Sequence, residues 1–221
     1  MVMGLHLYST GFNAPLPEEI FRLLLGQLPP ALQQKPLRFR RWEDAHANIL
    51  GKHLLRQALE NAGYPAGLHH LRYTPEDKPW LDGGPHFNIS HSGNRVVCLL
   101  STKGRVGIDI ELLHPIGFED FQTQFTSKEW LAIRSSASPT DMFFRFWTAK
   151  ESLIKADGRG LGIPLLQLDV SEYQPITLDG TTWQLRPLDC FPGYAAHYTF
   201  EGTPEPAITI REIPPADLSG V

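Results

Sequence analysis

The sequence predicts an α+β protein made of two similar lobes, each with helices followed by strands. Apolar residues recur at helical spacing in both halves of the chain. Short apolar runs bounded by glycine and proline follow the helical segments, which is the pattern of strands. A weak internal echo, from a helix through glycines to a strand, links ALENAGYPAGLHHLRY with LIKADGRGLGIPLLQLDV. We therefore expect two similar α+β lobes.

The boundary between the lobes is expected near residue 105. This gives an N-terminal lobe of residues 1–105 and a C-terminal lobe of residues 106–221. No low-complexity linker separates them, so we expect tightly packed lobes. The cleft between two such lobes is the natural place for a binding site.

Composition narrows the class of protein. The chain has 221 residues, of which 42% are hydrophobic and 20% charged, as in an ordinary globular protein. The net charge of −4 argues against a general nucleic-acid binder. Cys98 and Cys190 are far apart, which predicts neither a disulfide framework nor a zinc site. No segment has the features of a signal peptide or a membrane span, so the expected location is cytoplasmic.

In the first half, residues 2–8 alternate enough to begin a strand. Helical spacing predicts one helix over residues 15–28 and a longer one over residues 42–62, with Gly63 in the usual C-terminal position. Short strands are then expected at residues 68–73, 87–90 and 96–101.

In the second half, an acidic strand is expected over residues 106–111. A short helix follows near residues 118–125, and Ser127 is the expected N-cap of another. A long helix over residues 140–156 is closed by the glycines of DGRGLG. The tail segments WQLRP, YAAHYTF and AITIR predict a strand meander.

Three acids have the pattern of a metal site. Asp109 and Glu111 alternate with Ile108 and Ile110, so on a strand both acids point to one face and the isoleucines to a core. Glu151 belongs to the long helix. Magnesium takes a few protein carboxylates and completes its shell with water and substrate phosphates. The three acids therefore have the pattern of the protein's half of a metal–phosphate site, and the substrate would supply the other half.

The same residues could instead have an ordinary structural role without binding a metal. Alternating acids and isoleucines also describe a half-buried strand with a solvated face. Glu151 and Lys155 are four residues apart, which is the spacing of a surface helix pair worth about 0.2–0.5 kcal/mol. Neither pattern alone distinguishes these interpretations.

Basic and polar residues complement the acids. Residues 35–56 contain six lysines or arginines against two acids, which either form a solvated helix face or meet an anion. The segment EDKPWLDGGPHFNISHSG places Lys78, Ser90 and His91 among glycines. Small hydroxyls and backbone amides grip phosphate oxygens, while lysine and protonated histidine supply charge. A core or capping role is the alternative for the histidine.

The motifs EDAHANILGKHLLR, DKPW, FNISHS, GIDIE, FTSKEW and WTAKESLIKADGRGL occur in this order. Together they closely resemble the surfactin-type 4′-phosphopantetheinyl transferases, over roughly residues 35–170. The resemblance implies a pseudo-dimer of two α+β lobes with the active site in the cleft. It also implies transfer of the phosphopantetheine arm of coenzyme A to a serine of an acyl, aryl or peptidyl carrier protein.

The resemblance further implies the roles of individual residues. Asp109, Glu111 and Glu151 would bind Mg²⁺ against the pyrophosphate of coenzyme A. The catalytic set would be Glu151, Asp109 and Lys155, and either Glu151 or a metal-bound water accepts the proton of the serine. The residues that would hold the phosphates are Lys35, Lys78, Ser90, His91 and Lys155.

Glu129 occupies a motif position often placed near the metal, and Trp147 is expected to pack the helix. One position departs from the family pattern. Members of this type often have a second basic residue where this chain has Leu32. Tolerance for dephospho-coenzyme A is then expected to be greater. The 3′-phosphate would rest on Lys35, His91 and either Arg38 or Arg40.

The expected partners are coenzyme A and an acidic carrier protein, with no nucleic acid or membrane, and the chain is expected to be a monomer. The carrier would dock on the basic stretch around Arg40 and Lys52 or on FEDFQTQF. Two other functions remain open at this point. One is a magnesium-dependent phosphoesterase acting on a nucleotide or coenzyme A, and the other is a non-catalytic coenzyme A-binding protein.

Overall fold

The chain divides into two units, which the computed structural model describes over residues 4–203 and 207–219. The first unit contains residues 4–103 and 207–219, and the second contains residues 104–203. Each unit combines a four-stranded sheet with helices, so the predicted α+β class is confirmed. Within the described ranges, no helix is both long enough and apolar enough to cross a bilayer.

Elements are numbered along the whole chain. The helices of the first unit are α1 (Glu18–Gln27), α2 (Pro30–Gln33) and α3 (Trp42–Asn61), with short 3₁₀ turns at Pro36–Arg38, Gly67–His70 and Asp217–Ser219. Its strands are β1 (Leu5–Gly11), β2 (Arg72–Tyr73), β3 (Pro79–Trp80), β4 (His86–Ser92), β5 (Arg95–Ser101) and β10 (Ile208–Glu212).

The main sheet of the first unit has the strand order β10-β1-β5-β4, and helix α3 packs on it. The predicted apolar stripe of α3 is buried, with Ile49, Leu50 and Leu54 fully covered. Gly51 lets the helix approach the sheet, because a Cβ there would lie 3.0 Å from the Cγ2 atom of Ile89. The first half of the strand predicted over residues 68–73 lies in a 3₁₀ turn, and only its last two residues pair, with β3.

The C-terminal strand belongs to the first unit, which differs from the expected C-terminal lobe of residues 106–221. Strand β10 pairs in parallel with β1, with Leu5 opposite Ile208. The predicted meander is therefore wrong for its last strand, AITIR. Alternation along a segment predicts a strand but carries no information about which sheet edge accepts it.

The second unit contains the region of the predicted acids. Its helices are α4 (Ser127–Ser135) and α5 (Pro139–Asp157), with 3₁₀ turns at Phe118–Gln124, Gly160–Gly162 and Leu165–Gln167. Its strands are β6 (Val106–Leu112), β7 (Ile176–Leu178), β8 (Thr181–Pro187) and β9 (Tyr194–Glu201).

The sheet of the second unit is antiparallel, with the order β6-β9-β8-β7, and α5 packs across β6 and β9. Trp147 lies against the rings of Phe121, Phe125 and Phe143, so it packs the helix as expected. Helix α5 ends at Gly158, whose φ of 96° is left-handed and suits glycine.

Candidate active site

Strand β6 and helix α5 make direct backbone contact at Gly107. A Cβ on this residue would lie 2.0 Å from the backbone oxygen of Ser152 and 2.4 Å from the amide nitrogen of Ala156. Both atoms belong to the helix backbone, so neither can rotate away. The glycine of the GIDIE motif therefore sets the separation of helix and strand. The close approach brings the side chains of β6 within reach of those of α5.

Replacing Gly107 with alanine is expected to destabilise the second unit by about 3 kcal/mol or more, because the methyl group forces the helix away from the sheet. Chemical denaturation followed by circular dichroism measures the loss. Gly117→Ala is the matched control, since a Cβ there meets nothing within 4 Å. Equal unfolding midpoints for the two variants would contradict the close-packing role of Gly107.

Asp109 is buried beneath α5 and paired with Lys155. Asp109 is only 2% exposed, and its Oδ1 atom lies 2.5 Å from the Nζ atom of Lys155. The neighbouring Ile108 and Ile110 are fully buried on the other face. The interpretation of Asp109 as part of a solvated strand face is therefore wrong. Glu111, two residues nearer the C-terminal end of β6, is partly buried.

Glu151 lies on α5 within the electric field of the other two acids. Burial is the main cause that raises the pKa of Glu151 above its usual value, and the charge of Asp109 is the next. Lys155 acts in the opposite direction, while Glu111 adds a smaller upward contribution. The structure thus pairs Asp109 with Lys155 and places Glu151 within electrostatic range of Asp109, Glu111 and Lys155. Their charges interact even though they come from two distant segments of the chain.

The acids can be tested for their fit to a cation. In residues 4–203 and 207–219, no group of three or more His, Cys, Asp or Glu side chains is arranged to hold a metal ion. The donors are nevertheless carboxylate oxygens, which Mg²⁺ prefers. Besides burial, the negative charges of Asp109 and Glu111 raise the pKa of Glu151, and a divalent cation would offset this repulsion. The side chains fit magnesium in their chemistry.

Two buried hydrogen bonds connect helix α5 to strand β9. His197 lies directly opposite Asp109 in the sheet, and its Nδ1 atom forms a hydrogen bond of 2.8 Å with the hydroxyl of Thr148. One helical turn further, the hydroxyls of Ser152 and Thr199 are 2.7 Å apart. Burial lowers the pKa of His197 to about 3, so the ring is neutral at neutral pH. A polar residue at an inward position of YAAHYTF is a weak sequence signal for this contact.

Glu129 forms a buried ion pair with Lys150, a partner that the sequence did not reveal. The Oε2 atom of Glu129 lies 2.7 Å from the Nζ atom of Lys150, and both side chains are fully buried. Glu129 also accepts hydrogen bonds from the amides of Thr126 and Val170. Thr126, rather than the predicted Ser127, is the N-cap of α4. These contacts give Glu129 a structural role in joining α4 to α5.

The first unit contains a pocket of about 500 Å³. It is lined by mainly apolar side chains, together with Lys35, Lys52 and His91. Its other described lining residues are Pro29, Ala31, Leu32, Ala47, Asn48, Leu68, His69, Leu71, Tyr73, Asp77, Pro79, Asn88 and Ile89. A concave, largely apolar cavity of this volume with a few polar groups is typical of a small-molecule site.

The predicted phosphate-binding residues of the first unit fall into two groups. Lys35 and His91 line the pocket, with both side chains exposed. Ser90 is buried on β4, and Lys78 lies in the turn before β3, where its backbone bonds to Thr74. Neither Ser90 nor Lys78 is among the described lining residues. The structure thus brings two of the four predicted residues together in one cavity.

Comparison with known proteins decides the family. Residues 105–204 match the 4′-phosphopantetheinyl transferase superfamily. The 4′-phosphopantetheinyl transferase Sfp of Bacillus subtilis (strain 168) is 33% identical over 174 residues, covering 76% of this chain and 77% of that protein. The chain belongs to the 4′-phosphopantetheinyl transferase superfamily. The resemblance inferred from the motifs is confirmed.

Other members of the superfamily show similar agreement. The 4′-phosphopantetheinyl transferase gsp of Aneurinibacillus migulanus is 34% identical, covering 74% of this chain and 70% of that protein. The L-aminoadipate-semialdehyde dehydrogenase-phosphopantetheinyl transferase of Xenopus laevis is also 34% identical, covering 80% of this chain and 65% of that protein. The superfamily match contains the β6–α5 acids, whereas the pocket of the first unit lies outside it.

Proposed function

We propose that the chain transfers the 4′-phosphopantetheine arm of coenzyme A to a serine hydroxyl of an apo carrier protein. The serine oxygen attacks the β-phosphorus, the bond from that phosphorus to the oxygen shared with the ADP portion breaks, and 3′,5′-ADP leaves. One observation carries the proposal. In a chain of this superfamily, Asp109 of β6 pairs with Lys155 of α5, and the charges of both act on Glu151.

The acids and the lysine have distinct tasks in this proposal. Asp109, Glu111 and Glu151 would hold Mg²⁺, which supplies charge neutralisation of the pyrophosphate and polarises its phosphorus. Lys155, held beside Asp109, offers a positive charge to the phosphate oxygens. Glu151 accepts the proton that the serine loses on attack. Phosphoryl-type transfer depends mainly on such positioning and charge stabilisation, so no covalent intermediate with the protein is needed.

The coenzyme is proposed to bind the first unit as well. Lys35 and His91 would hold its phosphates at the pocket, with Lys78 and Ser90 contributing from the neighbouring turn and strand. This arrangement requires the two units to act as a pseudo-dimer with the reaction in the cleft between them. The monomeric state and the cytoplasmic location remain predictions from the sequence.

The carrier protein is proposed to dock on the segment of residues 37–42. Its arginines are exposed, and Leu37, Phe39 and Trp42 are exposed at 57%, 38% and 38%. Arginine and aromatic residues are enriched at protein interfaces, and a basic surface steers an acidic partner toward the enzyme. The arginines of the segment would therefore attract an acidic carrier protein, and its apolar side chains would contact the carrier after docking.

Mass spectrometry of an apo carrier protein tests the function directly. Incubation with the chain, coenzyme A and Mg²⁺ is expected to add one phosphopantetheine arm to the carrier, and a carrier whose serine is replaced by alanine should gain nothing. Chelation of the metal is expected to stop the reaction. Hydrolysis of coenzyme A without any carrier would instead identify a phosphoesterase. Binding of coenzyme A with neither reaction would identify a non-catalytic binding protein.

A further inference from the structure

The pocket of the first unit contains a cation that the sequence did not assign to it. Lys52 lies on α3 and lines the cavity, together with Lys35 from the turn after α2. In the residues that the structure describes, neither lysine forms a salt bridge. The acidic side chain among the lining residues, Asp77, is exposed in a turn. Two lysines therefore share a pocket without a paired acid.

The position of Lys52 is electrostatically unfavourable in the protein by itself. Burial, with a smaller contribution from the positive charge of Lys35, lowers the pKa of Lys52 to about 8. Much of the surrounding wall is apolar, with Leu68, Leu71 and Ile89 among its residues. A charged lysine in such a wall is disfavoured unless a partner of opposite charge binds there. The pocket is therefore suited to an anion attached to an apolar or aromatic group.

Leu32, on α2, lines the same pocket as Lys52 and carries no charge. The chain thus lacks a cation on α2 but provides one from α3 in the same cavity. Arg38 and Arg40, the candidates suggested by the sequence, are exposed and are not among the described lining residues.

We propose that Lys52 and Lys35 together bind the 3′-phosphate of coenzyme A and make the chain discriminate against dephospho-coenzyme A. The inference rests on the proposed function and adds to it a residue that determines specificity. A phosphate monoester carries nearly two negative charges at neutral pH, which matches two lysines better than one. The apolar wall is of a size and composition to contact the attached nucleoside. The greater tolerance expected from Leu32 alone is replaced by a preference for the phosphorylated coenzyme.

Calorimetric binding of coenzyme A and dephospho-coenzyme A, with no carrier present, tests the proposal. The wild-type chain is expected to bind coenzyme A more tightly. In Lys52→Met, affinity for coenzyme A should fall roughly ten- to hundredfold, as for a lost charge-assisted hydrogen bond, while affinity for dephospho-coenzyme A stays the same. Lys103→Met, which removes an exposed lysine of the same unit outside the pocket, should change neither affinity.

Stability provides the control for folding. Burial lowers the pKa of Lys52 in the folded chain below its ordinary value, so below about pH 8 its charge opposes folding. Lys52→Met should therefore unfold at the same temperature as the wild type or a higher one. An equal loss of affinity for both ligands, or no loss for either, would overturn the role of Lys52. Failure of the wild type to bind coenzyme A at all would instead refute the proposed function.

Discussion

Asp109→Asn is expected to reduce carrier modification by a factor of about a hundred to a thousand or more. The amide keeps the size of the carboxyl group but removes the charge that a metal ion requires. Loss of several kcal/mol of transition-state stabilisation corresponds to a rate decrease of this order. The rate of arm transfer, followed by mass spectrometry at saturating coenzyme A, measures the effect.

The design of this variant follows from the burial of Asp109. Alanine would leave Lys155 without its partner inside the protein, so a loss of activity could reflect misfolding. Asparagine retains an oxygen acceptor for Lys155. Glu172→Gln is the matched control, because it makes the same chemical change at an exposed ion pair with Lys128. Near wild-type transfer by a folded Asp109→Asn variant would remove Asp109 from the reaction.

Lys150→Met is expected to lower the free energy of unfolding by about 3–5 kcal/mol. The substitution leaves the carboxylate of Glu129 buried without its counter-charge, and breaking one side of a buried pair has this magnitude. It also removes the donor to two backbone carbonyls, those of Gln124 and Leu165. Denaturant titration of the purified variant measures the loss.

A double variant distinguishes the cause of that loss. Adding Glu129→Gln to Lys150→Met removes the uncompensated charge, so the double variant should recover part of the lost stability. Lys128→Met, at the exposed pair with Glu172, should have little effect. If the double variant is less stable than Lys150→Met alone, the buried charge is not the main source of the destabilisation.

The predicted helices and strands depended on information contained within short segments. The stripe of apolar residues in α3, the alternation in β4 and the continuous apolar run of β5 are each visible within a short segment, without reference to distant partners. The motif residues Asp109, Glu111 and Glu151 were recognised in the same way. Gly63, with a φ of 89°, follows α3 as predicted from its place after the apolar stripe.

Other features depended on partners far away in the sequence. AITIR alternates like any strand, but its pairing with β1 joins the two ends of the chain. Lys150 looks like a solvent-exposed lysine within WTAKES until α4 places Glu129 against it. Lys52 belongs to a basic stretch whose arginines are mostly exposed, and only the packing of α3 directs it into the pocket.

The sequence by itself determined the α+β class, the superfamily and the acids of the candidate site. Tertiary structure alone decided that Asp109 is buried against Lys155, that Glu129 is paired with Lys150, and that Lys52 shares a cavity with Lys35. The physical reason is the range of the interactions. Backbone periodicity is set by neighbouring residues, whereas burial and the choice of a charge partner depend on which distant segments the fold brings together.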